Sequence, residues 1–329
     1  MTRGGWVSGA IVALIVAAAL ASLLAGRVWL APEVVWRALW APGSHLASLI
    51  VVDLRLPRTL LALIVGAVLG LCGAVLQGVT RNPLAEPGLL GVSAGAALGA
   101  VIALYFGLAS VFPLAGPLGG LLGALAASLV TFYLGRGGGT ITLILAGAAV
   151  SGLAAAGIAL ALNLAPNPYA ADEIASWLMG SLADRGWIDV FLVLPFALGG
   201  SFLLALTARS IDALALGEAQ AASLGVPLER LFLLTLFGTT LAVGACTAVT
   251  GAIGFIGLVA PHLVRPLVGH QPSRVMLPAA LLGALLLLLA DIATRLVRVG
   301  PELRIGVLTS LIGTPFFFWL IVRLRKAAP

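Results

Sequence analysis

Residues 55–99 read RLPRTLLALIVGAVLGLCGAVLQGVTRNPLAEPGLLGVSAGAALG, and the architecture can be built outward from them. The stretch from 59 to 79 is apolar for about 20 residues, the length an α-helix needs to cross a bilayer. Pro57 stands just before it, where a fixed φ is tolerated at a helix start. Arg81, Asn82, Pro83, Glu86 and Pro87 then gather at one membrane face, and the two prolines should break the chain before the next helix. Gly66 and Gly70 recur at i, i+4, as do Gly91, Gly95 and Gly99, and later Gly119 and Gly123. In lipid, faces of small residues let helix backbones approach closely, because packing replaces the hydrophobic drive between helices. Such spacing predicts many helices folded into one compact body rather than a few anchors for a soluble domain.

Composition extends this reading to the whole chain. Of 329 residues 61% are hydrophobic and 9% charged, with a mean hydropathy of +1.16. A soluble domain carries roughly 25% charged residues, so this chain cannot clothe a water-facing surface; it reads as an all-α integral membrane protein. Lysine occurs once, at Lys326, and arginine carries nearly all the positive charge. A net charge of +6 therefore points to arginines at lipid headgroups rather than to nucleic acid. Cys72 and Cys246 both fall in apolar spans and form no CxxC, which reads as two buried core residues.

Apolar windows of spanning length lie at about 6–26, 59–79, 88–108, 113–134, 140–164, 188–208, 231–250, 251–268, 275–296 and 305–323. They predict about ten helices, with the seventh and eighth joined so closely that one bent element is an alternative. The first window, after Arg3, could be a cleaved signal peptide, but its length favours a retained span. An even count puts both termini on one side. Arg3, Arg81, Arg136, Arg209, Arg230, Arg265, Arg274, Arg323, Arg325 and Lys326 then fall inside, ten against eight outside, a weak vote for cytoplasmic termini. No soluble domain or long linker interrupts residues 1–329, so a single transmembrane domain is expected.

Absent motifs narrow the chemistry. The sequence has no G-x-x-x-x-G-K-[ST], and its one lysine is near the end, so the chain cannot cradle ATP itself. "GRGGGT" at 135–140 reads as a tight turn. His45, His262 and His270 are scattered, without metal-ligand spacing, and no GxSxG elbow appears. An intramembrane enzyme is disfavoured, and no resident metal is expected.

One polar passage stands out: ARSIDALALGEAQAASLGVPLER at 208–230. Gly217 opens it, Glu218 to Leu224 can form two helical turns, and Gly225 with Pro227 supplies helix-stop chemistry. Small Ala219 and Ala222 would permit close docking, and Glu218 and Gln220 could hydrogen-bond a partner. Arg55 and Arg58 read either as headgroup anchors or as a positive surface for an acidic partner. Asp291, the one acid well inside a span, is a functional candidate by default, but Arg295 at i+4 offers a local ion pair.

The 55–99 block, ALALGEAQAASLGV (213–226), GAIGFIGLVAPHLVR (251–265), LLLADIATRL (287–296) and ELRIGVLTSLIGTPFFFWL (302–320) together resemble the FecCD-type permeases. These are membrane subunits of binding-protein-dependent ABC importers for iron chelates, haem and vitamin B12. The resemblance runs from about residue 50 to 323 and implies a ten-helix type II importer permease in the inner (cytoplasmic) membrane. It implies a homodimer around a central pathway and two cytoplasmic ATPase subunits that hold ATP and Mg. A periplasmic or surface binding protein would deliver the substrate. It assigns the loop at about 208–228 as the coupling helix received by the ATPase, carried by Leu216, Gly217, Glu218, Ala219, Gln220, Ala222, Leu224 and Gly225. It matches Arg55, Arg58 and Arg295 to arginines that dock the binding protein. TITLILAG (140–147) resembles the inner gate, which makes Thr140 and Thr142 gate candidates. Haem or a ferric siderophore ranks ahead of cobalamin as substrate, and Tyr105, Tyr169 and Met179 are candidates for contact with a large ring. The rival reading is an ion-coupled secondary transporter, for which Asp291 is the one available buried carboxylate; a receptor or scaffold is a further alternative.

Overall fold

The computed structural model describes residues 3–26, 28–40, 46–112, 114–297 and 302–327. His45 and the side chains of Arg3, Arg323, Arg325 and Lys326 lie outside the described part. Among the described residues there is no strand. The chain forms α1 (Arg3–Leu24), α2 (Pro32–Trp40) and α3 (Leu46–Ser48), the last running through a π-helical turn (Leu49–Arg55) into α4 (Leu56–Thr80). A 3-10 turn (Pro87–Leu90) leads to α5 (Val92–Tyr105), α6 (Leu108–Val111), α7 (Ala115–Gly135), α8 (Gly139–Asn163) and α9 (Pro168–Leu178). Then come α10 (Trp187–Ala205), α11 (Ala208–Leu214), α12 (Glu218–Ser223), α13 (Leu228–Thr250), α14 (Ile256–Val268), α15 (Pro272–Leu296) and α16 (Ile305–Ala327).

Seven of these helices are long and apolar enough to cross a membrane: α1, the run from α3 through α4, α7, α8, α10, α13 and α15. Shorter apolar helices occupy the windows expected at 88–108, 251–268 and 305–323, at Val92–Tyr105, Ile256–Val268 and Ile305–Leu320. The first two are short for a backbone reason. Arg81 (φ 51) ends α4 in the left-handed region, and the chain does not become helical again until Pro87. Pro87 lies against Gly257, whose own neighbour is Leu69 near the middle of α4. The non-helical segment therefore re-enters the bundle instead of staying at its face, which leaves α5 14 residues long. Irregular backbone at that depth is tolerated where protein surrounds it. The break between the seventh and eighth windows is equally definite. Gly251 (φ 72) and Phe255 (φ 67) separate α13 from the 13-residue α14, so these are two helices rather than one bent element.

The glycine spacing sets the centre of the bundle. Gly66 and Gly70 face Gly283, Ala284 and Ala279 of α15, while Gly73 faces Gly257 of α14. Gly95 and Gly99 of α5 meet Gly119 and Gly123 of α7 in the same way. A Cβ at any of these positions would strike backbone atoms of the opposite helix. Close approach on two sides buries α4, and α13 is buried equally, at 72% of the spanning window for each. The helices α1, α7, α8 and α10 lie outside, with 22–33% buried.

Candidate functional site

The polar loop at 208–228 folds as two short helices, α11 and α12, at the end of the bundle where α8, α13 and α15 begin. The predicted stop signal closes α12 by a Schellman arrangement: Gly225 (φ 82) donates to Ala222 O at 2.9 Å and Val226 donates to Ala221 O at 3.0 Å. Gly217 (φ 116) opens it in a conformation that a side chain rarely adopts. This frame turns Ala221 wholly inward and leaves Leu216 and Leu224 each 65% exposed. Leu216, Ala219, Gln220, Ser223 and Leu224 line a shallow depression of about 390 Å³, and Ala222 and Gly225 are exposed beside it.

Glu218, read from sequence as able to hydrogen-bond a partner, also has a bond within the chain. Its Oε1 accepts from Thr140 N (3.2 Å) and from Thr140 Oγ1 (2.6 Å) at the first turn of α8. The expected coupling and gate residues are thereby in contact. Thr142 is separate, its hydroxyl donating to Gly138 O at 2.7 Å. On the other flank of the loop Asp212 meets the first turn of α15. Its Oδ1 accepts from Ser273 N at 2.8 Å, and its Oδ2 accepts from Ser273 Oγ and Gln271 Nε2, each at 2.6 Å. Neither α8 nor α15 has a capping side chain of its own: their N-caps are Gly138 and Gln271, and neither makes a side-chain cap bond. Each helix borrows a carboxylate from the α11–α12 loop, and each carboxylate takes the N–H of the second helical residue. An oxygen there satisfies a backbone donor that the helix cannot satisfy itself, and its charge complements the helix dipole.

The opposite end of α15 holds the arginines. Asp291 is fully buried and shared: Arg58 Nε donates to Oδ1 at 2.8 Å, and Arg295 NH2 donates to Oδ2. The local i, i+4 pair expected at Asp291 is thus present and joined by an arginine from α4, which also pairs with Glu302. Arg295 donates to Ser22 O at 3.0 Å, and Arg55 to the carbonyls of Leu23 (2.7 Å), Leu24 (2.9 Å) and Val28 (2.6 Å). Arg55 and Arg295 are therefore buried, 8% and 7% exposed, with their guanidinium groups closing the end of α1. A cavity of about 610 Å³ opens beside them, lined by Arg55, Arg58, Arg185 and Arg295 with Asp184 and Glu302. Burial holds the Arg185 guanidinium below its ordinary pKa, and the charge of Arg304 pushes the same way against Asp189 and Asp184. Cations outnumber carboxylates around this cavity.

Between the two ends, Gln77 ties the re-entrant segment to α14. Its Nε2 donates to Ala85 O (3.4 Å) and Leu258 O (3.3 Å), and its Oε1 accepts from Arg265 at 2.7 Å. Of the residues considered for a large ring, Met179 lines a cavity of about 690 Å³ between the end of α9, the break at Ala252–Gly254 and the start of α16. Tyr105 instead bonds Leu164 O at 3.0 Å, and Tyr169 is 86% exposed. No cluster of metal-ligating side chains occurs among the described residues.

Sequence reading missed Asp212, Gln271, Ser273, Glu302 and the Gln77–Arg265 bond. A usable signal for the first three was present: α15 begins without Ser, Thr, Asp or Asn at its N-cap, and such a helix must borrow an acceptor or face water.

Comparison with known proteins places the whole chain in one family. The chain is 39% identical over 324 residues to the hemin transport system permease protein HmuU of Yersinia pestis, covering 97% of this chain and 96% of the relative. It is 39% identical over 318 residues to the vitamin B12 import system permease protein BtuC of Salmonella typhi, covering 94% and 93%. A solved metal-chelate type ABC transporter in an inward-facing conformation superposes with a TM-score of 0.85 at 32% identity, over 97% of this chain and 99% of that one. The sequence profile of the FecCD transport family matches residues 14–323. With that match over nearly its whole length, the chain belongs to the FecCD transport family, as a membrane permease of ABC import systems.

Proposed function

We propose that this chain is the pathway-forming subunit of a binding-protein-dependent ABC importer for a large metal chelate. Haem or a ferric siderophore is favoured, with cobalamin next. One observation carries the reading: a short, firmly stopped helix, α12, projects from the bundle with Leu216 and Leu224 exposed. Two large apolar side chains held at 65% exposure on either side of a short non-spanning helix suit a protein partner. That partner is an ATPase subunit carrying ATP and Mg, one beneath each of two copies of this permease. The loop lies on the cytoplasmic side of the inner membrane, as do both termini, and residues 1–329 act as one transmembrane domain.

The arginine corner then faces outward, where its cationic excess suits acidic groups of a substrate-binding protein. Arg185 is the cation proposed to act there, because Arg55 and Arg295 are committed to α1 and Arg58 to Asp291 and Glu302. Docking releases the ligand into the cavity between two permeases. ATP binding and hydrolysis by the partner then drive alternation between outward and inward openings, a two-state element biased from both faces. Thr140 and its neighbours at the start of α8 belong to the inner gate. The chain itself performs no covalent chemistry. Ion coupling through Asp291 finds no support in the geometry, since that carboxylate is already shared by two arginines.

Reconstitution of the permease with its ATPase and binding protein tests the reading. Hemin, a ferric siderophore and cobalamin are supplied in turn, and uptake is followed with ATP and with an ion gradient alone. Uptake that needs ATP and both partners is expected; uptake under an ion gradient without the ATPase would overturn the reading. Ala222→Glu, on the exposed face of α12, is expected to separate ATP hydrolysis from uptake without changing membrane insertion. Unaltered uptake would remove α12 from the coupling path.

A further inference from the structure

We propose that Glu218 is a positioning residue that fastens α12 to the first turn of α8, so that displacement of α12 is delivered to α8 by a direct bond. The proposal rests on α12 being the face that receives the ATPase.

The attachment point has little else to hold it. Residues 137–139 are all glycine, with Gly137 at φ 77 and Gly139 at φ 71, so the turn before α8 contributes no side chain and tolerates change. The helix offers its unsatisfied N–H groups at that point, and the Glu218 carboxylate takes the one on Thr140 together with the Thr140 hydroxyl. The second link between this turn and its surroundings is the ion pair Arg136–Glu229 at 3.0 Å, whose side chains are 66% and 59% exposed. Exposed pairs of that kind contribute little. Thr140 is 6% exposed, so its bond to Glu218 is part-buried and less open to water than the Arg136–Glu229 pair.

The helix on the far side of the bond is built to move as a unit. Its buried positions are Thr140, Leu143, Ala146, Gly147, Val150 and Ala154, a single stripe along its first part, and no later residue of α8 is buried. Only 28% of its spanning window is buried, against 72% for α4 and α13. With its burial confined to one stripe, packed on α5, α7 and the 3-10 turn, α8 is held over less of its surface than the central helices. A cavity of about 330 Å³, lined by Gly135, Gly139, Leu143, Glu218, Leu228 and Phe232 among others, lies beside the attachment point. The first turn of α8 therefore has room to follow the loop.

On the other side of the bond, α12 moves as one piece with Glu218. The Schellman stop, the buried Ala221 and the constrained Gly217 lock the helix into its loop. Glu218 is the first residue of α12 and its side chain reaches directly across. The link uses no flexible intermediary.

Spin labels at Gln220 and Ile141, both exposed, test this in the reconstituted permease–ATPase complex, nucleotide-free and trapped with ATP and vanadate. The Gln220–Ile141 distance is expected to stay within a single narrow distribution in both states. Glu218→Ala is expected to add a separated population, increased about tenfold over the parent, the scale of one charge-assisted hydrogen bond lost. Glu218→Gln should return the narrow distribution, because its amide oxygen accepts the same two bonds, whereas Glu218→Met, similar in size but without that acceptor oxygen, should not; a merely space-filling role would be met by both. Should Glu218→Ala fail to insert, Thr140→Val carries the measurement, since it removes the hydroxyl bond and is expected to broaden the distribution. A parent distance that changes by several ångströms on ATP trapping, or a Glu218→Ala or Thr140→Val distribution as narrow as the parent's, would overturn the proposal. Failure of the ATPase to meet α12 shows separately, as unaltered uptake in Ala222→Glu.

Discussion

Asp291 and Asp212 both act on α15, one from within its last turns and the other from outside its first. Asp291 is fully buried and bonded to two arginines, and those arginines are in turn spent on Glu302 and on the carbonyl of Ser22. Asp212 comes from another helix and meets only neutral donors: the N–H and hydroxyl of Ser273 and the amide of Gln271. The first is a charge network closed around a fully buried carboxylate, costly to assemble and costlier to open, because Arg295 would be left as a buried charge without a counter-ion. The second is a cap made across the chain, modest in energy and easily remade. A transporter needs both kinds of joint. α15 is about 37 Å long at 1.5 Å per residue, and it is welded at the arginine end and pinned at the loop end.

The sharpest way to break this contrast is Asp291→Ala. It leaves Arg295 without a carboxylate and Arg58 with Glu302 alone, and is expected to cost about 3–5 kcal/mol, read as a loss of thermal stability of the purified permease in detergent. If Asp291→Ala destabilises no more than Asp212→Ala, the two joints are not different in kind. Asp212→Ala is expected to cost about 1 kcal/mol, the usual value of an N-cap. Combining it with Ser273→Ala should add less than the sum of the two, since both remove parts of one contact. Glu229→Gln, at the exposed pair with Arg136, is expected to change stability by no more than about 0.5 kcal/mol and to lose even that in high salt. A larger effect there would mean that the α7–α8 turn is held by its ion pair, which would shift weight away from Glu218.

Legibility from sequence followed the range of each interaction. The stop at Gly225 and Pro227 was readable because a Schellman motif closes between neighbours in the chain. The glycine faces of α4, α5 and α7 were readable because i, i+4 spacing is a property of one helix. The pairing of those faces was not: nothing local says that Gly70 meets Ala279 or that Gly99 meets Gly119. Glu218 has an intrachain partner that its own loop does not reveal. Its carboxylate was expected to meet a second protein, and within the chain it meets a backbone N–H 78 residues earlier. Arg55, Arg58 and Arg295 were expected as outward cations, and burial converts two of them into fasteners for α1.

Sequence alone determined that this is a membrane-embedded helical bundle, where its principal spans run, that small residues let them close together, and that one polar loop carries a short helix with its own stop signal. All of these rest on hydropathy, spacing and turn chemistry, which act within a few residues. Only the tertiary structure decided that the 81–87 segment re-enters the bundle and that α13 and α14 are separate helices of unequal reach. It also decided that the loop's two carboxylates sit on the first turns of α8 and α15. A helix period states which residues share a face but not what that face will meet. A carboxylate will take whichever donors the fold brings within about 3 Å.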